Sequence, residues 1–310
     1  MRKVASGAAV FLLACAAWLA AAAGQEQAAR PLLKGEVRMD GSSTVFPIME
    51  AISEEYARRQ PAVKTPISIS GTGGGFHRFS KGEVDLTNAS RAMKREERMS
   101  ASAGQVAYTE FQIAYDGLSI VVSKDNNWIQ NITEEELRQL WREEGRTKKW
   151  SDIRPDWPEQ AIRFYAPGVD SGTYDYFQET ILGDRQMVKS VAFSEDDNVL
   201  VRGVMSDPYA IGFLGFAYYS ENKDRVRAVR VNGVLPTKES IKSGLYAPLS
   251  RPLYIYANNR SIKEKACVYD YLRFALQHGA DLVEETGYVA LPQRLYQQQV
   301  RQLEAVHTMP

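Results

Sequence analysis

Three short stretches constrain this chain more than anything else in it: Gly41-Ser42-Ser43-Thr44, Ser70-Gly71-Thr72-Gly73-Gly74-Gly75 and Asp170-Ser171-Gly172-Thr173. Each is small and hydroxyl-rich, and each lies between a strand-like run and a helix-like run. Val37-Arg38-Met39-Asp40 leads into the first, and Val45, Ile48, Met49, Ile52 and Tyr56 then fall at helical spacing over residues 45–59. Ile67-Ser68-Ile69-Ser70 alternates as a strand into the second, with a short helical run over 76–81 behind it. Ile162-Arg163-Phe164-Tyr165 precedes the third, and a helix follows over 174–182. Val84-Asp85-Leu86-Thr87 is one more strand, ending at Asn88-Ala89-Ser90-Arg91, and Thr133 with Glu136 forms a capping box for a helix through Trp141. Strands alternating with helices predict a doubly wound α/β fold, with ligand loops beyond the carboxyl ends of the strands. Residues 113–122 and 252–256 break the alternation. They are apolar or aromatic runs without an intervening helix, as connectors crossing between two lobes would be.

The composition of the three loops suits an anion. Glycine lets backbone approach a ligand, the start of a helix offers unpaired N–H groups and a positive dipole end, and Ser or Thr adds a hydroxyl donor. Taken singly, each loop has an ordinary explanation. Ser and Thr commonly cap helices, and a glycine run can simply make a tight turn. The glycine loop lacks the Gly-Lys-Ser/Thr ending of a P-loop and the spacing of a dinucleotide loop. The third loop is not a Gly-x-Ser-x-Gly elbow, because position 169 is Val and position 173 is Thr. Taken together, three loops from distant parts of the chain point to one small oxyanion.

Other chemistry finds little support. Of the three histidines, His278 and His307 fall in late helical or tail sequence, and His77, beside the glycine loop, has no acid partner among its neighbours. The acidic runs Glu134-Glu135-Glu136 and Glu195-Asp196-Asp197 read as helix starts, the second alternatively as a contact that closes the lobes, and no histidine or cysteine accompanies them. No metal, cofactor or covalent catalysis is therefore expected. Arg91, at the end of a strand, is the first candidate for a guanidinium on the anion, with Arg163 and Arg202 behind it.

Met1-Arg2-Lys3 and the apolar stretch to Ala23 read as a signal peptide over residues 1–24, the alternative being a membrane anchor. Leu12-Leu13-Ala14-Cys15 also resembles a lipobox, although the sequence after Cys15 stays apolar. An exported protein follows, periplasmic or held at the cell envelope, with Cys267 as a small buried side chain. The whole chain has 38 basic and 38 acidic residues. A nucleic-acid partner is thereby disfavoured, and any anion must be held by local donors.

Gly41-Ser42-Ser43-Thr44-Val45-Phe46-Pro47, Gly71-Thr72-Gly73-Gly74-Gly75-Phe76, Asp85-Leu86-Thr87-Asn88-Ala89-Ser90-Arg91 and Asp170-Ser171-Gly172-Thr173-Tyr174-Asp175-Tyr176-Phe177 occur in an order that resembles the periplasmic phosphate-binding proteins of phosphate ABC transporters. Asp196-Asp197-Asn198-Val199-Leu200-Val201 and residues 211–219 resemble a cyanobacterial branch of that family. The resemblance implies a two-lobed, type II periplasmic-binding-protein fold, each lobe a doubly wound sheet flanked by helices, with the ligand cleft between lobes. Residues 34–116 with 252–310 would form lobe 1 and residues 117–251 lobe 2. It implies a monomeric receptor that passes inorganic phosphate to ABC-transporter permease subunits in the inner membrane. Carried over by position, Thr44, Val45, Thr72, Ser171, Gly172 and Thr173 match the family's ligand donors; Ser43, Gly73, Ser90 and Arg91 are expected to complete the site.

Two departures from the family pattern bear on selectivity. Family members often carry an Asp near Ser90 or Arg91 that accepts the phosphate proton, and an Arg where this chain has Pro167. Sulfate, which has no proton near neutral pH, is disfavoured by a buried acceptor. Asp170 and Asp116 are the candidates for that acceptor here. A receptor for sulfate, molybdate or arsenate is the alternative reading, followed by a secreted phosphatase.

Overall fold

A computed structural model describes residues 32–169, 171–194 and 196–309. The expected signal peptide, Cys15 and Asp170 lie outside them. The backbone is organised by one ten-stranded mixed sheet. On one side Ile67–Ile69, Met39–Gly41 and Leu86–Ala89 run parallel, and on the other Val191–Ser194, Arg163–Pro167 and Ala210–Gly215 do the same. Between the two parallel sets lie Ser250–Asn258 and Tyr108–Ser123, antiparallel to each other and shared by both sides. These are the two runs read in the sequence as connectors, and each is a long, continuous strand.

The apolar residues form two large clusters. One gathers Val37, Met49, Leu86, Ile113, Leu253 and Leu272 under the first parallel set. The other gathers Leu118, Trp141, Phe164, Phe177, Phe213 and Leu249 under the second. They part between Ala114 and Leu118 on one long strand and between Leu249 and Leu253 on the other, and Tyr115 packs against both. Val289, close to the C-terminus in sequence, packs with the second cluster. Cys267 is buried on helix Ala266–Glu285, as its apolar reading requires. Among the described residues no helix is long and apolar enough to cross a membrane.

Local expectations hold with instructive exceptions. The first helix is Phe46–Arg59, with Pro47 in its first turn, where a missing N–H costs nothing. The glycine stretch is not a loop: helix Gly71–Ser80 already includes it. Glycine is a poor helix former, and packing overrides the preference. A Cβ on Gly75 would stand 2.6 Å from the Gly41 Cα and 2.5 Å from the Thr87 hydroxyl, so the helix lies directly on the sheet at this point. The helix after the third loop is Gly172–Phe177, which widens into a π turn over Gln178–Leu182.

The capping box at Thr133 forms as expected. Glu136 N–H donates to the Thr133 hydroxyl at 3.2 Å, and Thr133 N–H donates to the Glu136 carboxylate at 2.8 Å. Arg154 adds a fork to the same carboxylate at 2.7 and 2.9 Å. These bonds, Arg154's first, hold the Glu136 carboxyl down from 4.5 to about 2. A carboxylate with a depressed pKa stabilises the fold above its unfolded value and loses that contribution as pH falls through its folded value. Glu136→Gln is expected to cost about 1–2 kcal/mol at pH 7. In denaturant titrations the gap to wild type should close between pH 4.5 and 2, and a gap independent of pH would contradict the assignment.

Candidate functional site

Asp40 brings the first two glycine-hydroxyl stretches together. Its buried carboxylate accepts from Gly41 N–H at 2.8 Å, from Ser70 N–H at 3.1 Å and from Arg78 at 2.8 Å. One side chain thus fixes both stretches at adjacent strand ends. Ser42 N–H donates to the Asn88 carbonyl at 2.9 Å, which ties in the end of the third parallel strand. The Thr72 and Ser90 hydroxyls then stand 3.0 Å apart, and Ser90 N–H donates to Thr72 at 3.2 Å.

Ser43, Thr44, Thr72, Gly73, Ser90 and Arg91 line one cavity of about 340 Å³. That space is on the order of ten waters, more than one tetrahedral oxyanion fills. Val45 is buried beside it as the residue preceding helix Phe46–Arg59, and no side chain caps that helix. Among the described residues no acceptor is hydrogen-bonded to the N–H of Thr44 or Val45. Thr44 and Ser43 therefore do not act as the ordinary caps their sequence allows. Two donors at the positive end of a helix stay available.

The third stretch takes a different place. Gly172 lies against Thr44, whose hydroxyl donates to the Gly172 carbonyl at 3.3 Å. Ser171 is spent locally, accepting from Thr173 N–H at 3.2 Å. Thr173 and Asp116 face a second cavity of about 300 Å³. It is the helix behind the third stretch that reaches the first cavity, through Asp175, Gln178 and Glu179.

The cavities differ in charge. Arg91, Lys94 and Arg251 border the first, opposite Asp175 and Glu179. Asp116, Asp197, Glu221 and Glu285 border the second, where no lysine or arginine occurs among the described lining residues. An anion is therefore drawn to the first and repelled from the second.

Arg91 is held from behind. Both terminal nitrogens donate to Glu97 at 2.8 Å, and its guanidinium lies 5.6 Å from the centre of the Phe76 ring. The bond to Glu97 raises the Arg91 pKa. Burial opposes ionisation of Glu97, but the bonds from Arg91 and the Lys94 backbone outweigh it and its pKa falls. Arg163 stands exposed, 4.0 Å from Asp207, and Arg202 is exposed; neither borders the cavity.

Three contributors escaped the sequence reading. Arg251 and Glu179 border the cavity, and half-buried Tyr288 donates from its hydroxyl to the Thr44 carbonyl at 2.7 Å. Asp116 is not at the wall of this first cavity. It lies opposite Arg251 on the neighbouring strand and accepts from its Nε at 3.4 Å. Burial pushes the Asp116 carboxyl upward, against the opposing pull of that guanidinium. The only sequence signal for Arg251 is a lone cation heading an otherwise apolar strand.

A family model described as a PBP superfamily domain matches residues 21–277. Protein SphX of Synechococcus elongatus is 43% identical over 267 residues, covering 84% of this chain and 79% of its own. The phosphate-binding protein PstS of Staphylococcus saprophyticus is 39% identical over 280 residues, covering 88% and 86%. The crystal structure of a possible phosphate binding protein from Planctomyces limnophilus superposes with a TM-score of 0.83 at 37% identity, covering 89% of this chain and all of that one.

Proposed function

Because the chain belongs to the PBP superfamily, we propose that it is an exported, monomeric receptor that binds inorganic phosphate and delivers it to the permease subunits of an ABC transporter. Lobe 1 comprises residues 34–116 and 252–310, lobe 2 residues 117–251, and the ligand is taken up between them without covalent change. The observation that carries this reading is the convergence of polar donors on one cationic cavity. Thr44 and Val45 offer N–H groups, Thr72 and Ser90 offer hydroxyls and Arg91 offers a guanidinium. Relatives named for phosphate binding share most of the chain's length.

Closure follows from the same geometry. The cavity is larger than its ligand, and lobe 2 reaches lobe 1 at Thr44 and Gly172. Donors from both lobes are satisfied together only when the lobes approach. Calorimetric titration with phosphate and then sulfate tests the reading. Absence of phosphate binding, or equal binding of sulfate, removes it.

Selectivity needs an acceptor for the proton of phosphate. Glu179 fits that role: it borders the cavity from lobe 2, 4.0 Å from Arg91 and 3.9 Å from Arg251. An ionised carboxylate accepts from phosphate but faces only lone pairs on sulfate. Glu179→Gln offers an amide that can donate to either anion. The phosphate-to-sulfate affinity ratio is expected to fall at least tenfold, and an unchanged ratio would exclude Glu179 as the discriminating group.

A further inference from the structure

We infer that Arg251, mounted on the strand that joins the two lobes, is a direct ligand of the bound anion, and that Asp116 is the residue that positions it. The inference rests on the phosphate reading and deepens it. Arg251 supplies from the hinge a guanidinium that the third stretch lacks, since Pro167 stands where the resemblance places an arginine.

The geometry gives Arg251 unspent donors. A guanidinium carries five N–H groups. Nε donates to Asp116 at 3.4 Å, and one terminal nitrogen donates to the Thr44 hydroxyl at 3.2 Å. The other terminal nitrogen has no hydrogen-bonded acceptor among the described residues, with Glu179 3.9 Å away. The side chain is only 11% exposed, yet it borders the cavity. Leaving N–H groups of a buried cation unpaired is costly, and an anion in the cavity removes that cost.

Its surroundings fix its direction. The guanidinium stacks on the Tyr176 ring at 3.6 Å from the ring centre, and Tyr176 belongs to the helix behind the third stretch. Arg251 thus touches lobe 1 at Thr44, lobe 2 at Tyr176 and the crossing strand at Asp116. Asp116 stands directly across the ladder from it, so strand register itself sets the pair. A ligand held there senses both lobes at once. The carboxylate of Asp116 does not face the anion; it faces the back of the fork.

Four proteins test this by calorimetry with phosphate and sulfate: wild type, Arg251→Gln, Asp116→Asn and the double variant. Arg251→Gln is expected to weaken phosphate at least 100-fold and sulfate in parallel, because a guanidinium serves either anion. Asp116→Asn alone should weaken phosphate about tenfold, and should have no further effect in the Arg251→Gln background. Additive losses would make Asp116 merely structural. Arg251→Gln strands a buried carboxylate and can compromise folding; the double variant removes both charges, and its loss of binding, with a cooperative melting transition, supports the inference equally. Full phosphate affinity in the double variant overturns it while the phosphate reading stands. Failure of wild type to bind phosphate overturns both.

Discussion

Gly172→Ala is expected to weaken phosphate binding by two orders of magnitude or more while barely changing the stability of the unliganded protein. A Cβ at this position would lie 2.4 Å from the Thr44 hydroxyl, 2.7 Å from its Cα and 2.8 Å from its N. The hydroxyl can rotate away, but the two backbone atoms cannot. Ordinary carbon contacts begin near 3.5 Å, so the lobes must part by roughly 1 Å. Alanine is otherwise welcome at the start of helix Gly172–Phe177, where it favours helix over glycine. The loss therefore falls on closure and not on folding. Forfeiting one or two charge-assisted bonds costs about 2–4 kcal/mol, and each 1.4 kcal/mol is tenfold in affinity. Calorimetry gives the affinity, and small-angle scattering shows whether phosphate still contracts the particle. Wild-type affinity in the variant would show that this contact does not limit closure.

The second large effect is a contrast between neighbouring glycines. Gly75→Ala places a methyl 2.6 Å from the Gly41 Cα and 3.2 Å from its N, against a buried strand that has no room to retreat. Overpacking of this kind costs about 1–3 kcal/mol. Because Gly41 opens the first stretch, phosphate affinity should fall as well. Gly73, two residues away on the same helix, has nothing nearer than an Arg91 nitrogen at 4.0 Å. Gly73→Ala should stabilise the unliganded protein by about 0.5–1 kcal/mol through the helix alone. Urea titration separates the two. Equal effects at both positions would mean that the helix does not sit on the sheet as described.

This contrast marks where sequence reading reached its limit. Strands and helices were legible wherever a clear period existed, as in residues 45–59 and 133–141, and the two crossing strands were legible from their lack of intervening helices. In sequence the glycine stretch reads as a loop because glycine resists helix locally; only the close approach to Gly41 shows why a helix needs glycine there. The first two stretches do meet at one cavity, and a buried aspartate that looks like an ordinary strand residue brings them together. Arg251 and Glu179 were illegible for another reason. Their meaning depends on the register of strands 135 residues apart and on a π turn, and neither leaves a local trace. Asp116 stands out by its sequence position, and its partner alone gives it a task.

The two crossing strands have a mechanical consequence. Residues 250–258 pair with residues 108–117 through the waist of the molecule, with a single shift of register between Leu253 and Tyr254. A slide of one half past the other would break this ladder bond by bond, whereas a change of twist leaves every rung intact. The waist therefore behaves as a torsion ribbon, compliant to twisting and stiff to shear. Any movement that closes the cavity by turning one half against the other winds it, and the wound ribbon pushes back. Release of the ligand then needs no separate device to part the halves, because elastic recoil of the sheet already acts in that direction.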